Sequence, residues 1–95
     1  MNNSKKFSVI WSEYMKYRVQ LRKFDLSKIE DIIKYSEEKY FDVATHRMIV
    51  INKHDDRLVM IPFEAKEDEI MPITVHATTR QQINFRLKTG RFRYE

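Results

Sequence analysis

"RMIVINKHDDRLVMIPFE", residues 47–64, reads as two apolar runs hinged on a polar tripeptide. "RMIVINK" (47–53) and "RLVMIPFE" (57–64) are rich in Ile, Val, Met and Phe, side chains that suit a pleated surface, and His54-Asp55-Asp56 suits the turn of an antiparallel hairpin. The second run is apolar on both faces, which predicts a central strand covered by helices. Pro62 opposes full pairing, because proline has no N–H to donate, so the end of that strand is expected at a sheet edge or bulge. "IMPITVHA" (70–77) is a third run of this kind, set off by "AKEDE", with Pro72 near its start. Together they predict a three-stranded antiparallel sheet.

Outward from the strands the period changes. Phe7, Ile10, Trp11, Tyr14, Leu21 and Phe24 recur at helical spacing with no proline or glycine between them, which predicts a first helix over about 8–23. "FDLSKIEDII" marks a break and a second start. Ser27 and Glu30 have capping-box spacing, Asp25 competes as the N-cap, and Leu26, Ile29, Ile32 and Ile33 form one apolar face that fades near "SEEKY". After the strands, Thr78 or Thr79 can cap a third helix, and Thr79 with Gln82 has the T-x-x-Q spacing. Ile83 and Leu87 make its packing stripe, and Gly90, the one glycine, falls where a helix needs a left-handed residue to stop. The expected architecture is α+β: two N-terminal helices, a three-stranded antiparallel sheet and a C-terminal basic helix, in a single domain over residues 1–95.

The chain has 95 residues with 42% hydrophobic content, enough for one core but too few for two. It has no cysteine, so disulfides, thiol catalysis and thiolate zinc sites are excluded. No apolar run approaches the roughly 20 residues needed to span a bilayer, and "MNNSKKFSVIW" lacks the apolar core of a signal peptide. A cytoplasmic protein without a membrane partner is expected. The net charge of +4 is segregated: residues 1–23 carry six Lys/Arg and one acid, 24–75 carry seven against twelve, and 76–95 carry five against one. If the fold joins the two ends, they make one basic face suited to a polyanion.

Site chemistry narrows by elimination. His46, His54 and His76 have no i, i+4 pair, so no metal is expected, and a single glycine excludes phosphate-cradling loops, leaving no cofactor. Strand alternation sets Ile73, Val75 and Ala77 on one face and Thr74, His76 and Thr78 on the other. His76 then lies at a strand end, just before a helix N-terminus and Arg80, surroundings that attract phosphate or serve only a surface histidine. Arg86 and Lys88 flank the helix stripe, Arg91 and Arg93 follow the stop, and Tyr14, Arg18 and Arg22 share one line on the first helix. Phe85 points away from Ile83 and Leu87. Phe85 and Phe92 either cover part of the core or form a contact between two copies.

"THR" before the first strand, "RLVMI" (57–61) and "ITVHATTRQQINFRLKTGRF" (73–92) carry a resemblance to the BrnT-like branch of the RelE/ParE toxin superfamily, extending from about Phe7 to Phe92. The Lys-His-Gly turn common between the first helices of BrnT proteins is replaced here by "RKFDLS", and for the family's catalytic tyrosine Tyr94 is only a late candidate. The resemblance implies the toxin of a type II toxin–antitoxin pair, a metal-independent endoribonuclease that cleaves mRNA through 2′-hydroxyl attack, in some cases on the ribosome. Its partners would be RNA and a cognate antitoxin. It further implies His76 as acid or base, with Arg80, Arg86 and Arg57 on the phosphate, and Arg18, Arg22, Lys88, Arg91 and Arg93 along flanking RNA. Two other readings stay open: a non-catalytic nucleic-acid-binding regulator, or a protein-interaction module, including a toxin directed at a protein such as gyrase.

Overall fold

A computed structural model describes residues 7–94, so Lys5, Lys6, the start of the stretch read against a signal peptide, and Glu95 lie outside the described residues. The fold is α+β with three helices and a seven-stranded mixed sheet, which corrects the expected three-stranded antiparallel sheet. In chain order the elements are β1 (Ser8–Val9), α1 (Glu13–Leu21), α2 (Leu26–Tyr35), β2 (Lys39–Asp42), β3 (Arg47–His54), β4 (Arg57–Lys66), β5 (Glu69–Pro72), β6 (His76–Ala77), α3 (Arg80–Lys88) and β7 (Phe92–Tyr94). The sheet order is β1-β5-β4-β3-β2-β7, with β6 beside β4 and only β1–β5 parallel.

The central hairpin forms with Val50 opposite Ile61, and His54, expected in the turn, is instead the last residue of β3, opposite Arg57. Asp55 takes a positive φ of 57° in its turn, a conformation that aspartate tolerates better than most side chains. β4 continues through Ala65 and Lys66, so "AKEDE" is mostly strand and the reversal falls at Glu67, with φ 57°.

The third expected strand is two short ones. β5 pairs with Phe63–Lys66 and β6 with Val59–Met60, and the step between them falls at Pro62. There Pro62 accepts a hydrogen bond from Ile73 N–H (2.8 Å). Having no N–H of its own, it cannot complete a ladder on that side. The proline therefore sits at a break in its neighbour, within a central strand, rather than at the strand's end.

Three strands went unanticipated. The expected helix 8–23 begins only at Glu13, where Ser12 Oγ accepts from Met15 N (3.0 Å). Ser8–Val9 instead adds a parallel edge to β5. "KYFD" forms β2 on the outer side of β3, and the tail forms β7 on the outer side of β2. Asp25 caps α2, its Oδ1 accepting from Ser27 N and Lys28 N. Thr79 caps α3, accepting from Gln82 N (3.1 Å), and Gly90 ends it with φ 85°.

Helices cover both sheet faces. Met15, Val19, Ile29 and Ile33 pack on Val50, Val59, Ile61 and Phe63. On the opposite face Ile83 of α3 packs with Tyr40, Ile49, Ile51 and Phe92. Each such fully buried aliphatic side chain contributes about 1.5–3 kcal/mol. Truncating the fully buried Ile61 to alanine would leave a central cavity costing about 2–5 kcal/mol. Because α3 is short, it covers only part of its face. The rest stays open as a cleft.

Candidate functional site

The cleft has a volume of about 420 Å³, with Ile49, Met60 and Pro62 of β3 and β4 among its lining residues. Thr74 and His76 line it from the step after β5, Gln82 and Arg86 from α3, and Asp42 with Arg91 from the β2–β7 side. The β4–β6 register sets His76 opposite Met60, which turns the imidazole toward the α3 face because opposed residues share a face.

His76 is half-buried. Burial first, then the charges of Arg18, Arg22 and Arg86, hold its pKa below the ordinary 6.5. Arg18 in α1 and Arg22 at its end act on it through their charge alone, since neither lines the cleft, whereas Arg86 of α3 does. None of the three forms an ion pair with a described residue. Arg18 Nη1 donates to Tyr14 Oη (3.1 Å) while its Nε is buried without a partner. Arg86 is steadied by apolar contacts, with Nη1 3.4 Å from Met60 Sδ and its guanidinium carbon 5.5 Å from the centroid of Phe92. A neutral imidazole beside an uncompensated guanidinium can accept a proton, and the guanidinium can hold an anion.

Thr74 adds a feature that sequence reading placed on the His76 face but not in the site. Its Oγ1 is buried, has no hydrogen-bond partner, and belongs to a residue lining the cleft. Such a hydroxyl is an unmet polar group that a ligand could satisfy. Arg47, also missed, lines the cleft while its Nε donates to Glu64 Oε2 (3.1 Å).

Other expected site residues have different surroundings. Arg80 is clamped on Glu38 through two guanidinium–carboxylate bonds, Nη2 to Oε1 at 3.1 Å, and does not line the cleft. Arg57 lies 4.1 Å from the centroid of Phe24 and donates to the carbonyls of Arg22 and Lys23 at 3.5 and 3.4 Å, so it closes the C-terminus of α1. Arg91 lines the cleft but is held by Asp42 at 3.0 and 3.1 Å. Burial raises the Asp42 carboxyl, and hydrogen bonds from Arg91, Ala44 N–H and Thr45 outweigh it, leaving a lowered pKa. Lys88 and Arg93 are exposed and do not line this cleft.

Tyr94 is exposed on β7, edge-on to Tyr40 at 5.6 Å. Phe92 stacks on Tyr40 at 5.7 Å and is buried in this chain's own core, which removes it from the expected contact between copies; Phe85 is exposed. His54 is buried, and its Nε2 accepts from Asp25 N–H (2.7 Å), tying the hairpin turn to the start of α2.

Among the described residues no group of three or more His, Cys, Asp or Glu is arranged to hold a metal ion. No described helix is long and apolar enough to cross a membrane. Comparison with protein-family models, with curated proteins and with solved structures finds no match.

Proposed function

We propose that this protein is an endoribonuclease acting as the toxin of a toxin–antitoxin pair, cleaving RNA by attack of a ribose 2′-hydroxyl on the adjacent phosphodiester. The observation that carries the catalytic part is His76, its pKa lowered, lining one cleft with Arg86, a guanidinium without a carboxylate partner, in a space wide enough for a phosphodiester. The toxin role rests on the resemblance of "RLVMI" and "ITVHATTRQQINFRLKTGRF" to the BrnT-like branch.

His76 accepts the 2′-hydroxyl proton, and the oxygen bonds to phosphorus. Arg86 faces the non-bridging oxygens and offsets the charge that grows on them. The P–O5′ bond breaks, leaving a 2′,3′-cyclic phosphate, and the departing 5′-oxygen takes a proton from solvent. Thr74 Oγ1 can donate to a phosphate oxygen, meeting its unfilled hydrogen bond. Arg80 and Arg57, engaged with Glu38 and the α1 carbonyls, act by supporting the fold.

One observation favours a second reading, a nucleic-acid-binding module without catalysis. Among the described residues His76 is the only side chain lining the cleft whose ordinary pKa lies near neutral. The two readings separate with matched single-stranded oligonucleotides, one of RNA and one fully 2′-O-methylated. The ribonuclease binds both and cuts only the RNA. Binding of both without cutting would leave the module.

A further inference from the structure

Phe85 is 65% exposed on α3, although the helix already has its packing residues in Ile83 and Leu87. It lies in a second groove of about 490 Å³ together with Gln81, Gln82, Arg86, Thr89 and Arg91. Three of these, Gln82, Arg86 and Arg91, also line the His76 cleft, so the two depressions share a wall and form one path over the helix. Gln81, Phe85 and Thr89 are spaced four apart, as are Gln82 and Arg86, so helical geometry stacks these side chains along adjacent rows. Among the described residues no carboxylate lines this groove.

We propose that Phe85 is a stacking platform for one nucleobase of a single-stranded RNA whose phosphate occupies the His76 cleft. This deepens the ribonuclease reading and rests on it. An aromatic face beside a cation, with amide side chains on one flank, matches what an unpaired base needs: a π surface, neutralisation of the adjoining phosphate, and donors and acceptors for its edge. Arg86 serves both subsites, since phosphate and base of one nucleotide are a few bonds apart. Gln81 and Gln82 each offer an amide donor and acceptor, so they are the specificity candidates. An acidic peptide would also meet the arginines, but its carboxylates would leave the exposed ring uncovered.

The test is the affinity of a fully 2′-O-methylated single-stranded oligonucleotide, which cannot be cut, for wild type, Phe85→Ala and Phe85→Trp, read by fluorescence anisotropy. Phe85→Ala should weaken binding roughly tenfold, and Phe85→Trp should restore or exceed the wild-type affinity. Phe85 is exposed, so both variants should retain the wild-type melting temperature. Equal affinities for all three would overturn the stacking platform while leaving ribonuclease activity to be judged on RNA. Absence of binding by every form would overturn both. Loss of a concentration-dependent dimer in Phe85→Ala, with oligonucleotide affinity unchanged, would assign the ring to a contact between copies and overturn the proposal.

Discussion

His76 stands directly opposite Met60 in the two-residue ladder between β6 and β4, and the sulfur of Met60 is the atom against which Arg86 rests, 3.4 Å from its Nη1. One cross-strand pairing thereby sets the imidazole and the guanidinium on the same side of the sheet. Arg18, on α1, does not line the cleft, but after burial its charge is the first cause that lowers the His76 pKa. Arg18→Gln should therefore raise the His76 pKa toward its ordinary value, and inorganic phosphate added to the wild type should do the same. Proton NMR titration of the imidazole resonances follows both. An unmoved pKa in the variant would show that the Arg18 charge does not act on His76.

The lowered His76 pKa also has a thermodynamic sign. The folded state holds the imidazole neutral where the unfolded chain, with a value near 6.5, already takes up a proton. Stability from this group is therefore complete above about pH 6.5 and declines as the pH falls from there through the lower folded value. His76→Gln cannot titrate, so its denaturation midpoint should fall less steeply than that of the wild type as the pH drops below about 6.5. Parallel curves from urea unfolding at several pH values would contradict this.

Thr74 should separate stability from activity. Its Oγ1 is buried without a partner, and removing an unsatisfied polar group of the same shape is close to neutral or stabilising. Thr74→Val should hold or raise the melting temperature while lowering RNA turnover about tenfold, the loss of one hydrogen bond to a phosphate oxygen. Reduced stability with unchanged turnover would show that the hydroxyl serves the fold.

Arg57 should behave in the opposite way. Its stacking on Phe24 and its bonds to the Arg22 and Lys23 carbonyls close the end of α1. Arg57→Ala should cost about 1–2 kcal/mol in urea unfolding and leave RNA cleavage per folded molecule within about twofold. A large drop in turnover without destabilisation would return this arginine to the site.

The parts of this fold legible in the sequence are those fixed by local chemistry. The β3–β4 hairpin declares itself by composition and its polar turn, Asp25 and Thr79 by capping, and Gly90 by the positive φ of 85° at a helix end. β1, β2 and β7 are two to four residues long. An alternation that short does not stand out from loop, and β1 and β7 are held by partners distant in sequence, while β2 hairpins with the neighbouring β3. The β5/β6 split depends on Pro62 of the neighbouring strand. The same limit applies to the site. Alternation set His76 on the face opposite Val75, and charge segregation made a shared basic face conditional on the two ends meeting. Whether an arginine is uncompensated depends on distant acids: Glu38 takes Arg80 across 42 residues and Asp42 takes Arg91 across 49. Arg86 meets no such acid among the described residues.

The most direct test is cleavage of a long single-stranded RNA by purified protein in excess EDTA, with product ends mapped for wild type, His76→Gln and Arg86→Ala. The wild type should leave 2′,3′-cyclic phosphate ends. His76→Gln should slow cleavage about 10²- to 10⁴-fold, and Arg86→Ala about 10²- to 10³-fold, both retaining their folded circular dichroism. Cleavage that persists at the wild-type rate in both variants, or RNA left intact by the wild type, would contradict a ribonuclease site at His76.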